Sequence, residues 1–507
     1  MISSPPLLRA RKEPRRTSIL LLVAFGLYIA LAAMFAASAP DLILYVIGAG
    51  ATVSCVALMF RNFVSSLYLL VLATHIGPIV RATIPGIGIV TLGDLYLAFL
   101  LLVFSLRVSK GKILTLPFRG FALAMFAMSA ITLILAADII AALPGVINMV
   151  QVAFVYIIIY NEVKTRKQVD GMLNGIGIGV LISAVLHLIF YLRGESLALS
   201  GQDEGQLAAL LGDIIAPEYI RTSFFYVSFH ASSAVGIVLG IRHLLRITGL
   251  DITVRIFWLF VLAAALSSSL VSSSKTTILA AGFVSVFIVF SYIRHAKRGR
   301  GLQLALLTVS IVTIPIIVFQ SLVTGGQQSL LQDSILSDSA VSMGERFLMW
   351  SEFPQKILSS PKELMFGLGP GVPERAPENE SVRKIMYISS IQFQPFSFHN
   401  FYADVILQHG AIFFALMAAV IVSTVRRLWT LVRKGDVLAA DLFYAISAWL
   451  LVWMTHSTGW SKPVAILSVL FALGHLLIAN RLAPEGPLNK HVAREGTQSA
   501  LSYLRAS

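Results

Sequence analysis

Charge is what this 507-residue chain has least of: Asp, Glu, Lys and Arg make up 13% of it, against about a quarter in an average soluble protein. So few charges cannot keep an unfolded chain solvated, nor coat soluble domains of this total length, which excludes a disordered or ordinary cytosolic protein. Cysteine is nearly missing as well. Cys55 stands alone inside an apolar run, so no intrachain disulfide forms and no thiolate metal centre can be assembled. Acid is scarcer than base, 25 residues against 39, yet the bases form no single patch of the kind that grips nucleic acid. They fall in short clusters such as Arg9, Arg11, Lys12, Arg15, Arg16 and Arg294, Lys297, Arg298, Arg300, each between apolar stretches.

What is abundant is apolar surface, 57% of residues, in runs of about 20 that match the thickness of a bilayer. Only a helix satisfies its own backbone polar groups over such a length in lipid. The fold class expected is therefore all-α, a polytopic membrane helix bundle of about fourteen spans. These lie near 18–37, 41–60, 63–80, 91–106, 117–137, 142–160, 171–191, 222–241, 255–270, 276–293, 301–321, 400–424, 438–457 and 463–480. The run 18–37 is too long for the apolar core of a removable signal and reads as a retained first helix. Alternate connections carry opposite charge. Those on the N-terminal side hold 28 of the 39 bases and 8 of the 25 acids. Positive connections stay cytoplasmic, so both termini are expected inside.

The same count divides the chain into a bundle over 1–321, a large outer loop over 322–399, three further spans over 400–480 and a polar tail over 481–507. The loop is far longer than an ordinary connection and holds order signals. Ser342-Met343-Gly344-Glu345 reads as a capping box, and Phe347, Trp350, Phe353 and Ile357 follow at helical spacing. That predicts an amphipathic helix on the membrane surface, kinked near Pro354. Gly367-Leu368-Gly369-Pro370-Gly371 is turn-rich, and without a preceding strand it is no nucleotide fingerprint.

Polar residues near membrane depth need a reason. His399 and Asn400 lie where the loop meets the twelfth expected span. With an unperturbed pKa of about 6.5, a histidine there suits general-base work. The pair equally suits capping of the helix start, and both readings stay open. Arg346 brings a guanidinium able to grip phosphate oxygens in bidentate fashion, or a snorkelling anchor. Arg221 opens the eighth span in Arg221-Thr222-Ser223-Phe224-Phe225, on the side where bases are scarce. Lys275 starts the tenth. His75, Arg81, Asp94, His230, His456 and Lys462 lie near outer ends and read as local structural contacts, and Asp41 lacks a neighbouring carboxylate.

On these residues the chain resembles the O-antigen ligase and polysaccharide polymerase superfamily of bacterial envelope enzymes, over about 220–425. His399-Asn400, nine residues and Gly410 reproduce its HN-x9-G element. Arg346-Phe347-Leu348-Met349-Trp350, Ser360-Pro361 and Gly367-Leu368-Gly369 are similar to its R-x3-W … P … G-x-G run. Arg221 and Lys275 stand at places like its earlier arginine elements, with lysine where arginine is expected.

The resemblance implies a GT-C-like membrane bundle in the bacterial inner membrane and a metal-independent, inverting glycosyltransferase without cofactor. The donor would be a glycan on undecaprenyl pyrophosphate, and the acceptor lipid A core or a growing glycan. His399, Arg346 and Arg221 would be catalytic, while Asn400, Lys275 and Trp350 would bind substrate. Membrane lipids are the other expected partner; nucleic acid is not. A transporter or lipid-linked oligosaccharide flippase of twelve to fourteen spans is the competing class, and a non-enzymatic membrane scaffold the third.

Overall fold

The computed structural model describes residues 58–76, 81–84, 88–109, 114–136, 139–192, 226–246, 252–271, 275–295, 360–369, 400–454 and 464–482. Twelve helices are recorded among them. They are α1 Phe63–Ile76, α2 Leu92–Val108, α3 Arg119–Ile134, α4 Ile139–Glu162, α5 Arg166–Leu192, α6 Tyr226–Leu245, α7 Ile252–Val271, α8 Lys275–His295, α9 Pro361–Phe366, α10 Phe401–Arg433, α11 Val437–Trp453 and α12 Val464–Ile478. Eleven coincide with expected spans. The runs at 18–37 and 301–321, and most of 41–60, lie outside the described residues, as do the surface helix expected in the loop and nearly all of the tail. One element among the described residues departs from all-α: an antiparallel hairpin of β1 Arg81–Ile84 and β2 Gly88–Thr91, with Arg81 opposite Thr91 and Ile84 opposite Gly88.

Four helices are long and apolar enough to cross a membrane, over Gly145–Glu162, Arg166–Val185, Ile252–Ser269 and Phe401–Arg433. The outward faces agree with that character. Leu279, Phe283, Val286 and Phe290 of α8 are all exposed, an arrangement that lipid favours and water does not. The protein is a helical membrane protein.

The chain divides into two compact units, 1–66 and 67–507. Of the first, residues 58–66 are described; there the Asn62 Oδ1 accepts from the Ser65 N–H at 3.2 Å. In the second, α6 is the hub, packed by α5, α7, α8 and α11. Its small residues allow this. A Cβ on Gly240 would lie 2.8 Å from the Leu262 Cβ and 3.1 Å from the Trp258 carbonyl oxygen, so α6 and α7 touch nearly backbone to backbone, as small residues permit in membranes. Trp258 and Trp449, both fully buried, fill the space around this hub. A second group gathers α3, α4, α10 and α12, and α11 joins the two.

Polar caps set several helix starts. Thr165 and Gln168 form a reciprocal capping box at the start of α5: the Gln168 N–H donates to Thr165 Oγ1 (3.2 Å) and the Thr165 N–H to Gln168 Oε1 (3.1 Å). Asp436 caps α11, accepting from the Ala439 N–H at 3.1 Å. The first residue of α5, Arg166, reaches across to this cap and bonds both Asp436 oxygens, at 2.5 and 3.3 Å.

Candidate functional site

The start of α10 is fixed from three directions. Asn400 has extended backbone angles (φ −142°, ψ 107°), and its Oδ1 accepts from the Tyr402 and Ala403 N–H groups at 3.0 and 3.2 Å. These are two of the donors that any helix start leaves unsatisfied. The Phe401 ring stacks on Trp453 at the end of α11, with centroids 3.7 Å apart. The Tyr402 hydroxyl donates to the Leu450 carbonyl at 2.9 Å. The start of α10 is therefore clamped.

Nine residues into α10 the helix breaks. Gly410 has φ 82° and ψ 167°, a region open essentially to glycine alone. The break releases carbonyls that a continuous helix would use, and a second segment takes them up. The Leu368 N–H donates to the Leu407 oxygen at 2.8 Å, and the Gly369 N–H to the Gln408 oxygen at 3.1 Å. Beyond the break, residues 411–433 still span about 34 Å as helix, enough to cross a hydrocarbon core.

That second segment is delivered by α9. Ser360 caps it, accepting from the Glu363 N–H at 3.3 Å, with Pro361 in the first turn, where a missing N–H costs nothing. The Gly367 N–H closes the short helix on the Glu363 oxygen at 2.7 Å. Gly367 then adopts φ 76° and ψ 178°, the same glycine-only region as Gly410. The two glycines meet. A Cβ on Gly410 would sit 2.1 Å from the Met365 oxygen, and one on Gly367 2.4 Å from the Gln408 carbonyl. Both are hard overlaps with backbone. Buried beside the crossing, the His409 ring stacks on Phe413 at 4.7 Å.

Among the expected site residues, Asn400 is described, and it caps α10. Lys275 is the first residue of α8. His399, Arg346, Arg221 and Trp350 lie outside the described residues. What the fold brings together is the Gly367-Leu368-Gly369 segment and Gly410, 41 residues apart along the chain at their closest. No three His, Cys, Asp or Glu side chains gather among the described residues as a transition-metal centre would need.

Three polar groupings escaped the sequence reading. His475 of α12 lies between Tyr156 of α4 (hydroxyl to Nδ1, 2.5 Å) and Thr424 of α10 (Oγ1 to Nε2, 2.6 Å). Asp441 of α11, buried, pairs with Arg242 of α6, whose other nitrogen donates to the Val437 carbonyl at 3.2 Å. Asp436 is the third. Burial would raise its carboxyl, but the Arg166 hydrogen bonds, the Ala439 N–H and the arginine's charge outweigh that and hold it below the usual carboxylate range. For His475 and Asp441 the available signal was a lone polar residue inside an apolar run, which says that a partner exists without naming it; Asp436, after Arg433-Lys434-Gly435, carried no such signal.

No protein-family model matches the chain, and no curated protein matches it in sequence.

Proposed function

We propose that this chain is a bacterial inner-membrane glycosyltransferase of the O-antigen ligase and polysaccharide polymerase kind, with both termini cytoplasmic and its chemistry on the periplasmic side. The observation that supports this reading is the crossing of Gly367 and Gly410. Two of the three stretches on which the resemblance rests carry these glycines, and the two depend on each other sterically. A chance match of short motifs does not require that.

The reaction transfers a glycan from undecaprenyl pyrophosphate to an acceptor hydroxyl, on lipid A core or on another growing glycan. The acceptor oxygen forms a bond to the anomeric carbon as the bond to the pyrophosphate oxygen breaks, inverting that centre. His399 takes the hydroxyl proton. The pyrophosphate leaves with its charge stabilised by Arg346 and Arg221, cations doing what a metal ion does in other transferases. Lys275 adds positive charge near the leaving group, Trp350 packs the donor against the membrane, and Asn400 holds the helix start that follows His399 in the chain.

The test uses purified full-length protein, a lipid-linked oligosaccharide donor and candidate acceptors. His399→Ala and Arg346→Ala should each elute and melt like wild type while transfer falls at least about a hundredfold. Near-normal turnover in either variant removes that residue from the mechanism. In cells, accumulation of single lipid-linked repeats on deletion identifies a polymerase, and full-length polymer without core attachment identifies a ligase. Vectorial lipid movement without any new glycosidic bond would favour a flippase instead.

A further inference from the structure

Contacts between helix ends map one end of the bundle. Arg107 at the end of α2 pairs with Glu162 at the end of α4 at 3.4 Å. Arg166 at the start of α5 pairs with Asp436 beside α11, and Arg242 near the end of α6 with Asp441. The Thr115 N–H, just before α3, donates to the Asn161 Oδ1 at 3.0 Å, and Arg481, just after α12, donates to the same threonine's hydroxyl. The charge split of the sequence expects this end in the cytoplasm. Three of its acids are spent on arginines.

Three other arginines are left over. Arg119 is the first residue of α3, and Arg426 and Arg427 lie in the last turns of α10, which packs on α3. All three are exposed, and none has a carboxylate partner among the described residues. Arg427 is nonetheless held in place. Its guanidinium lies over the Phe118 ring, 5.4 Å from the centroid, and that ring also meets His475, with centroids 4.9 Å apart. Stacking orients a guanidinium without using its N–H donors, so the fork stays ready for phosphate oxygens.

Apolar surface continues from these charges. Leu123 and Phe126 follow Arg119 by one and two turns along the same face of α3, and both are exposed. On α10, Val422 lies one turn before Arg426 and Trp429 one turn after it, again exposed. Bases beside a tryptophan, with apolar side chains on one side only, are the profile of a bilayer interface. A soluble anion has no use for the apolar part.

We propose that Arg119, Arg426 and Arg427 form a headgroup site for an anionic phospholipid in the leaflet at this end. The guanidinium groups take the phosphate, and the acyl chains lie along Leu123, Phe126 and Val422. A zwitterionic lipid carries its own cation, which three uncompensated arginines repel, so the site selects a headgroup with net negative charge such as phosphatidylglycerol. Bound there, the lipid bridges α3 and α10. The proposal is independent of the glycosyltransferase reading.

Native mass spectrometry of the full-length protein tests it, with detergent micelles doped equally with phosphatidylglycerol and phosphatidylcholine. Wild type should retain phosphatidylglycerol in preference. Arg119→Gln and Arg427→Gln should each elute like wild type and weaken that retention about fivefold. Lys167→Gln removes an exposed base from the same end but away from α3 and α10, and should change nothing. An equal loss there means diffuse attraction to a basic end and overturns the site. Equal retention of the two lipids by wild type overturns it as well, as does wild-type retention in both arginine variants. Displacement by excess inorganic phosphate would show a site for free phosphate rather than lipid, with the same consequence.

Discussion

Gly367 and Gly410 share one crossing: each lacks the Cβ that would collide with backbone next to the other, at 2.4 Å from the Gln408 carbonyl and 2.1 Å from the Met365 oxygen. Both also have φ near +80° with extended ψ. Ala at either position suffers twice, from strain and from overlap. Gly367→Ala and Gly410→Ala should each destabilise by at least about 3 kcal/mol. Once one substitution has separated the backbones, the other has less to lose, so the double variant should fall well short of the sum. Thermal unfolding in detergent measures both, and full additivity would mean that the glycines act separately.

The His475 bonds run in one direction. The Thr424 hydroxyl donates to the Val420 carbonyl at 2.7 Å, so toward His475 its oxygen accepts, and Nε2 must carry the proton. Nδ1 is then the acceptor and the Tyr156 hydroxyl its donor. Held in this way as the Nε2–H tautomer, the ring links α4, α10 and α12. Nitrogen NMR of labelled histidine should show Nδ1 unprotonated. Tyr156→Phe leaves that nitrogen buried without its donor and should cost about 1–3 kcal/mol of stability.

At the junction of α5 and α11 the sign of a pH effect can be worked out. Asp436 is held below its ordinary value in the folded protein. Its contribution is therefore fully present above the unfolded carboxylate value of about 3.9, and is lost as pH falls through the folded value. Wild type should lose stability on acidification below about pH 4. Asp436→Asn, which keeps a capping oxygen but no charge, should be less stable at neutral pH by about 0.5–1 kcal/mol and lose less on acidification. Melting temperatures of the two proteins at neutral and acid pH compare these directly, and parallel curves would remove Asp436 from the acid response.

Legibility followed the physics of each element. Apolar length announced α4, α7, α8 and α11 to within a few residues. It missed the start of α5, where the chain is already helical at Arg166 rather than near 171, because the Thr165–Gln168 capping box is polar and hydropathy does not register it. It stopped α10 near 424, whereas the helix runs to Arg433; its last turns carry bases and need no lipid. The β1–β2 hairpin was hidden for another reason: it falls in the connection between the spans expected at 63–80 and 91–106, and a hydropathy count assigns no structure to a connection. The glycines were visible one at a time. Their crossing was not, because each explains the other only when residues 43 apart along the chain are brought together in space.

Asn400 decides between the two readings that its position permits. Both of its recorded hydrogen bonds go through Oδ1 to the backbone of the first turn, so its contribution should be that of a cap. Aspartate supplies the same oxygen and a charge that suits a helix N-terminus. Asn400→Asp should therefore keep wild-type stability and turnover, whereas Asn400→Ala should lose about 1 kcal/mol and fray the turn that follows His399. Turnover in the alanine variant should recover when the start of α10 is recapped with serine. If aspartate and serine preserve melting but transfer still collapses, the Asn400 amide touches the acceptor itself, and its place is in the chemistry rather than in the helix.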